Sequence, residues 1–192
     1  IQAGKTANGF IAYFAQNVYT PESGASILTE TEDGVYMNID GEGCFLKASD
    51  KVNVDVASSY TDANGNTVNV KSIYSNAFYG RYDIKSVNIA QGIKDIGESA
   101  FYGCTALENI VIPSTVVKIG AKAFSLCSKL GTVEFAENSE LVSISTQAFF
   151  NCRNLDNVVL PEGVNEIGVM AFANASSLTN VTFNGDAPES FG

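Results

Sequence analysis

Residues Ile96–Pro113 read IGESAFYGCTALENIVIP, and the spacing of their apolar positions decides the fold. Ile110 and Ile112 stand two apart, so they share one face of a short extended segment that Leu107 leads into. Ile96-x-x-x-Ala100-Phe101 reads as a tight convex turn or a short helix that returns the chain. The arrangement recurs. Ala-Phe stands at Ala77-Phe78, Ala100-Phe101, Ala123-Phe124, Ala148-Phe149 and Ala171-Phe172, with Phe spacings of 23, 23, 25 and 23 residues. Five residues before each Phe stand Ile73, Ile96, Ile119, Ile144 and Ile167, and six after stand Ile84, Leu107, Leu130, Leu155 and Leu178. Nine after stand Val87, Ile110, Val133, Val158 and Val181, and eleven after stand Ile89, Ile112, Phe135, Leu160 and Phe183.

A unit of 23 residues cannot bury its own apolar set, so the units must stack, with a parallel sheet on one side and a continuous core inside. Gly97, Gly120 and Gly168 follow the recurring Ile, as a crowded or positive-φ corner requires. Pro113 and Pro161 follow the extended segment, where a missing N–H ends pairing without removing a central ladder bond. The 25-residue spacing places a two-residue insertion in Ala136–Leu141, a polar outer loop.

The motif I-G-x-x-A-F-x-x-C-x-x-L-x-x-V-x-[IVLF]-P resembles the BspA-like, treponemal-type leucine-rich repeats of bacterial surface proteins. Ile96–Pro113, Ile119–Phe135, Ile144–Pro161 and Ile167–Phe183 carry it, and the resemblance spans roughly residues 73–192. Arg81 and Ala175 replace the motif Cys, and Ala90, Ala136 and Asn184 replace its Pro. The resemblance implies an α/β solenoid: a right-handed superhelix with one parallel sheet face, short convex turns or helices, and a β-rich N-terminal cap. It divides the chain into a cap over 1–72 and five repeats over 73–192, the last cut short within the variant stretch that follows Phe183. It also implies an extracellular or cell-surface bacterial protein built for recognition.

Residues 1–72 lack the Ala-Phe marker. Val35-Tyr36-Met37-Asn38-Ile39 and Val52-Asn53-Val54-Asp55-Val56 alternate apolar and polar residues and read as half-buried strands. Asn8–Tyr19 reads as a short helix ended by Pro21, with a strand as the alternative. Asp62-x-Asn64-x-Asn66 imitates the start of a calcium loop, but Thr67 and Ile73 stand where that loop needs Gly and Glu. Its Asn-Gly pair suits a hairpin turn instead.

The 192 residues carry 21 acidic and 11 basic side chains, a net charge of −10, which argues against nucleic acid as a partner. No stretch is apolar enough for a membrane span, so membrane insertion is not expected. There is no His, which removes the usual general base and the commonest transition-metal ligand. Cys104, Cys127 and Cys152 each stand three residues after a Phe. Stacked side chains run parallel instead of facing one another, so these read as a column of buried thiols without disulfides, and Cys44 reads as unpaired. No metal, cofactor or catalytic residue is expected.

If positions nine and eleven after each Phe point inward, positions eight and ten point outward from the sheet. Position eight holds Ser86, Asn109, Thr132, Asn157 and Asn180, and position ten holds Asn88, Val111, Glu134, Val159 and Thr182. The first column is wholly polar and uncharged. Val111 and Val159 mark either a contact surface or good β propensity. These ten residues form the candidate face for a protein or glycan partner, with oligomeric state open. A structural spacer in a larger surface protein is the alternative, and a carboxylate-dependent hydrolase a distant third.

Overall fold

The computed structural model describes residues 28–39 and 41–192. The segment Asn8–Tyr19, with Pro21, lies outside the described residues. The chain winds as a β-solenoid with two ladders of strands. The longer begins with β1 (Leu28–Glu30), β2 (Gly34–Ile39) and β3 (Glu42–Ala48), an antiparallel meander. From β3 it continues in parallel through β6 (Thr67–Ile73), β8 (Asp95–Ile96), β10 (Lys118–Ile119), β12 (Ser143–Ile144), β14 (Glu166–Ile167) and β16 (Ser190–Phe191). The second ladder is formed by β4 (Asn53–Val56) with β7 (Ser86–Ile89), then β9 (Asn109–Ile112), β11 (Thr132–Phe135), β13 (Asn157–Leu160) and β15 (Asn180–Phe183), all parallel.

Between the ladders run the columns expected from the repeat. Ile73, Ile96, Ile119, Ile144 and Ile167 are buried, as are Phe78, Phe101, Phe124 and Phe149. The Phe rings stack at 4.5 Å (Phe78–Phe101), 4.9 Å (Phe101–Phe124), 5.2 Å (Phe124–Phe149) and 5.3 Å (Phe149–Phe172). Phe172, Leu178, Val181 and Phe183, in the last set, are half-buried. A further buried column, Ile93, Val116, Leu141 and Val164, escaped the sequence reading. The insertion shifts Leu141 by two positions, which leaves 137–140 to form the outer loop.

The strands read over Val35–Ile39 and Val52–Val56 appear as β2 and β4. The Asp62–Thr67 turn closes a hairpin in which β5 (Ser59–Thr61) pairs with β6, Thr61 opposite Thr67. The Asp62 carboxylate accepts the N–H groups of Asn64 and Asn66, both at 2.9 Å. The Asn66 amide is the first cause holding this carboxyl below its ordinary range. Residues 28–72 join the same ladders: β3 pairs β6, β4 pairs β7, and Phe45 stacks on Phe78 at 5.3 Å.

Two expectations need correction. The α/β class fails among the described residues, which contain no helix; the returning segments are successive turns. Hydrogen bonding gives the reason. Ala100, Tyr102 and Cys104 donate their N–H groups three residues back, to Gly97, Ser99 and Phe101. Ser99, Phe101 and Gly103, between them, donate to Ala121, Ala123 and Ser125 of the next coil. An α-helix would bond every one of these amides four residues back and leave none for the neighbouring coil. The alternation is set by a left-handed residue on either side of each Phe: Asn76, Ser99, Lys122, Gln147 and Met170 two before it, and Gly80, Gly103, Leu126, Asn151 and Asn174 two after.

The second correction concerns proline. Ala90, Ala136 and Asn184 use their N–H groups to bond Val56, Ile112 and Leu160 of the preceding coil. Pro113 and Pro161 stand at the same position without a donor, so each does remove a bond between coils. The strand register fails at the same two places. β9 and β11 pair over four residues, as do β4 with β7 and β13 with β15. β11 meets β13 only at Thr132 and Asn157, and β7 lies beside β9 without pairing.

Gly97, Gly120 and Gly168 do not take positive φ; crowding explains them. A Cβ on Gly120 would lie 2.7 Å from the Gly97 carbonyl carbon and 2.8 Å from the Ile96 oxygen.

Candidate functional site

Alternation along a short strand sends one residue into the core and the next to solvent. Burial follows this rule along β7, β9 and β13, exposed-buried-exposed-buried. All ten candidate residues, Ser86, Asn88, Asn109, Val111, Thr132, Glu134, Asn157, Val159, Asn180 and Thr182, are exposed on this one ladder. Register aligns them: Asn109 opposite Thr132, Thr132 opposite Asn157, Asn157 opposite Asn180, with Val111 opposite Glu134 and Val159 opposite Thr182.

The columns extend one strand further than the Ala-Phe marker reaches. Asn53 lies opposite Ser86 and Asp55 opposite Asn88. Sequence reasoning missed both, although the alternation Asn53-Val54-Asp55-Val56 matches Ser86-Val87-Asn88-Ile89 residue for residue. Side chains of the first column bond along it: Ser86 Oγ donates to Asn53 Oδ1 at 2.8 Å, and Asn180 Nδ2 donates to Asn157 Oδ1 at 3.1 Å. Val111 and Val159 are each 51% exposed, a large apolar area for strand residues with a core immediately behind them.

Two shallow grooves cut this face, one at each register break. The first, of about 290 Å³, is lined by Asn88, Val111, Pro113, Asp55 and Ala136 among others. The second, of about 570 Å³, is lined by Glu134, Val159, Pro161, Glu162 and the insertion residues Glu137–Ser139. Each therefore sets an exposed Val beside the Pro two residues on. Neither lining includes Lys or Arg. Exposed Tyr79, stacked on half-buried Tyr102 at 4.9 Å, and exposed Tyr82 belong to the turns and not to this face.

The cysteines are structural. All four are free and buried. Cys104, Cys127 and Cys152 donate their thiols to the carbonyls of Phe78, Phe101 and Phe124 at 3.3, 3.1 and 3.1 Å. Burial pushes the Cys152 thiol up to about 12 and the Cys44 thiol up to about 11. Such thiols are poor nucleophiles at neutral pH. Among the described residues no group of His, Cys, Asp or Glu is arranged to hold a metal ion.

The model of a family described as BspA type leucine rich repeat region matches six copies over residues 71–189. A leucine rich repeat protein of T. pallidum superposes with a TM-score of 0.66 at 28% identity, covering 84% of this chain and 70% of its own. A leucine-rich repeat protein of Bacteroides ovatus gives 0.66 at 29% identity, covering 86% and 41%. A structure described as a leucine rich cell surface protein, from Faecalibacterium prausnitzii, gives 0.50 at 19% identity, covering 85% and 56%. This chain thus spans about half or less of some of the structures it matches. No curated protein matches it.

Proposed function

The chain belongs to the BspA-type leucine-rich-repeat family, and on that premise we propose that it is a non-enzymatic recognition module of a bacterial surface or secreted protein. It meets a protein or glycan partner through the second ladder. The observation that carries this reading is the pair of exposed columns from Asn53 and Asp55 to Asn180 and Thr182, in register within the β4–β7, β9–β11 and β13–β15 pairs. Uncharged side chains dominate both columns, and two exposed valines interrupt the second. Short amides and hydroxyls on paired strands supply donors and acceptors with little side-chain entropy to lose on binding. The surface location draws on the family resemblance, and the cell surface protein of the same fold agrees with it. Residues 1–72 serve as the cap of the first repeat, a role supported by Phe45 packing on Phe78.

A spacer role is the second reading. It is favoured by the single core that runs from Tyr36 to Ala171, which makes the chain a stiff body able to hold another domain at a distance. Arrays of glycans and extracellular-matrix proteins separate the two. The recognition reading expects a saturable signal from the native chain that is lost when Asn109, Val111, Asn157 and Val159 are all replaced by Lys. These positions are exposed, so the variant should keep its fold, checked by circular dichroism. An unchanged signal removes the face from the account, and no signal on either array favours the spacer.

A further inference from the structure

Asn-Gly occurs at Asn8-Gly9, Asn64-Gly65 and Asn184-Gly185, and the first pair lies outside the described residues. The fold holds the other two differently. We infer that Asn184-Gly185 is a self-modifying site, where loss of the Asn184 side-chain amide adds a negative charge to the second groove, and that the hairpin shields Asn64 from the same reaction.

The reaction needs only the chain and water. The Gly185 nitrogen gives its proton to solvent and attacks Asn184 Cγ. A new N–C bond forms, and the side-chain nitrogen leaves as ammonia. Water then opens the five-membered imide at either carbonyl, leaving an aspartate or an isoaspartate at position 184. One water enters and one ammonia departs, with no change of oxidation state. Glycine favours the attack because no side chain crowds its nitrogen.

Hydrogen bonding separates the two pairs. In the hairpin the Gly65 N–H donates to Asp62 O at 3.0 Å, and Asp62 Oδ1 accepts the N–H groups of Asn64 and Asn66, both at 2.9 Å. The attacking nitrogen is occupied there, and the backbone on either side of it is pinned. At the end of β15 the Asn184 N–H donates to Leu160 O at 3.1 Å, but the Gly185 N–H donates to none of the described residues. The Asn184 side chain is exposed and bonds none of them either, so it is free to turn onto that nitrogen.

Position gives the reaction its consequence. Asn184 lines the second groove together with Glu134, Glu137 and Glu162, so the aspartate product places a fourth carboxylate there. Isoaspartate also adds a main-chain carbon beside Gly185, where a Cβ would already lie 2.5 Å from Glu162 O.

The test incubates the whole native chain at mildly alkaline pH and follows it by tryptic mass spectrometry. Cleavage after Lys and Arg puts Asn8, Asn64 and Asn184 on three different fragments. Position 184 should gain about 1 Da at least about fivefold faster than position 64. In guanidinium chloride the two rates should converge, because only the sequence neighbours then act. Asp62→Ala, with its fold checked by circular dichroism, should speed the reaction at Asn64 and leave that at Asn184 unchanged. Asn184→Gln should abolish the gain at position 184. Four results would overturn the inference: Asn64 reacting as fast as Asn184 in the folded chain, Asn184 staying intact for as long as the unfolded chain takes to react, a rate gap that survives denaturation, or an Asn64 indifferent to Asp62→Ala.

Discussion

Gly120 shows how little room a single residue has between coils. The corner backbone of the preceding coil lies where its Cβ would go, with Glu98 N at 2.8 Å. Gly120→Ala should therefore destabilise the chain by about 1–3 kcal/mol in urea unfolding. Gly131→Ala should be close to neutral, because the nearest atom to its added carbon is Asn154 O at 3.6 Å. Equal effects would refute the crowding account. The thiols give a pH signature. Cys152 sits well above the ordinary thiol range because burial disfavours its thiolate, and Cys44 does likewise. A raised acid pKa means that the stability from keeping each thiol protonated is whole below about pH 9 and is lost as pH climbs towards about 12 for Cys152 and about 11 for Cys44. Melting temperature should fall between pH 9 and 11, and Cys152→Ala should flatten part of that slope while lowering the plateau. A slope unchanged by the substitution would mean that Cys152 is not the group titrating.

At the scale of elements, proline decides where the second ladder holds together. Ala136 bonds Ile112 O at 3.0 Å, and beside that bond β9 and β11 pair over their full length. Ala136→Pro should copy the natural breaks. Because this N–H is bonded and the pairing beside it should loosen with it, the substitution should destabilise the chain by more than the about 0.5–1.5 kcal/mol of one lost hydrogen bond, read as a lower unfolding midpoint. Amide exchange is the informative measurement: β9–β11 amides should lose protection while β13–β15 amides keep theirs. Undiminished protection in β9–β11 would contradict the role assigned to proline. The same elements show what was readable beforehand. Buried columns and outward columns were legible because one residue's alternation suffices to find them. The all-turn return was not, because an i−3 bond alternating with a bond to the next coil leaves no mark on apolar spacing. Its only trace was the position two after each Phe, where Gly80, Gly103, Asn151 and Asn174 tolerate a left-handed backbone and Leu126 breaks the pattern. Asn53 and Asp55 were passed over because their strand has no Ala-Phe before it. The grooves were hidden because Pro113 and Pro161 read as harmless strand ends.

The whole molecule is a stack in which each coil touches mainly its neighbours, so damage should stay near its source. Phe124→Ala empties a site between Phe101 and Phe149 and should cost about 3–5 kcal/mol, with amide exchange rising in the adjacent coils before β2 and β3 respond. A near-neutral change would contradict the stacked register. At this scale the negative charge reads as a solvated exterior, except on the groove rims, where Glu134, Glu137 and Glu162 gather without a cation. The central claim is that recognition belongs to one face, and hydroxyl-radical footprinting of the native chain, alone and with the tightest ligand from the arrays, tests it most directly. The account predicts protection along β9 and β13, at Val111, Pro113, Val159 and Pro161, with Tyr79, Tyr82 and Tyr102 as reactive as before. Protection of those tyrosines, with the valines and prolines unchanged, would contradict it.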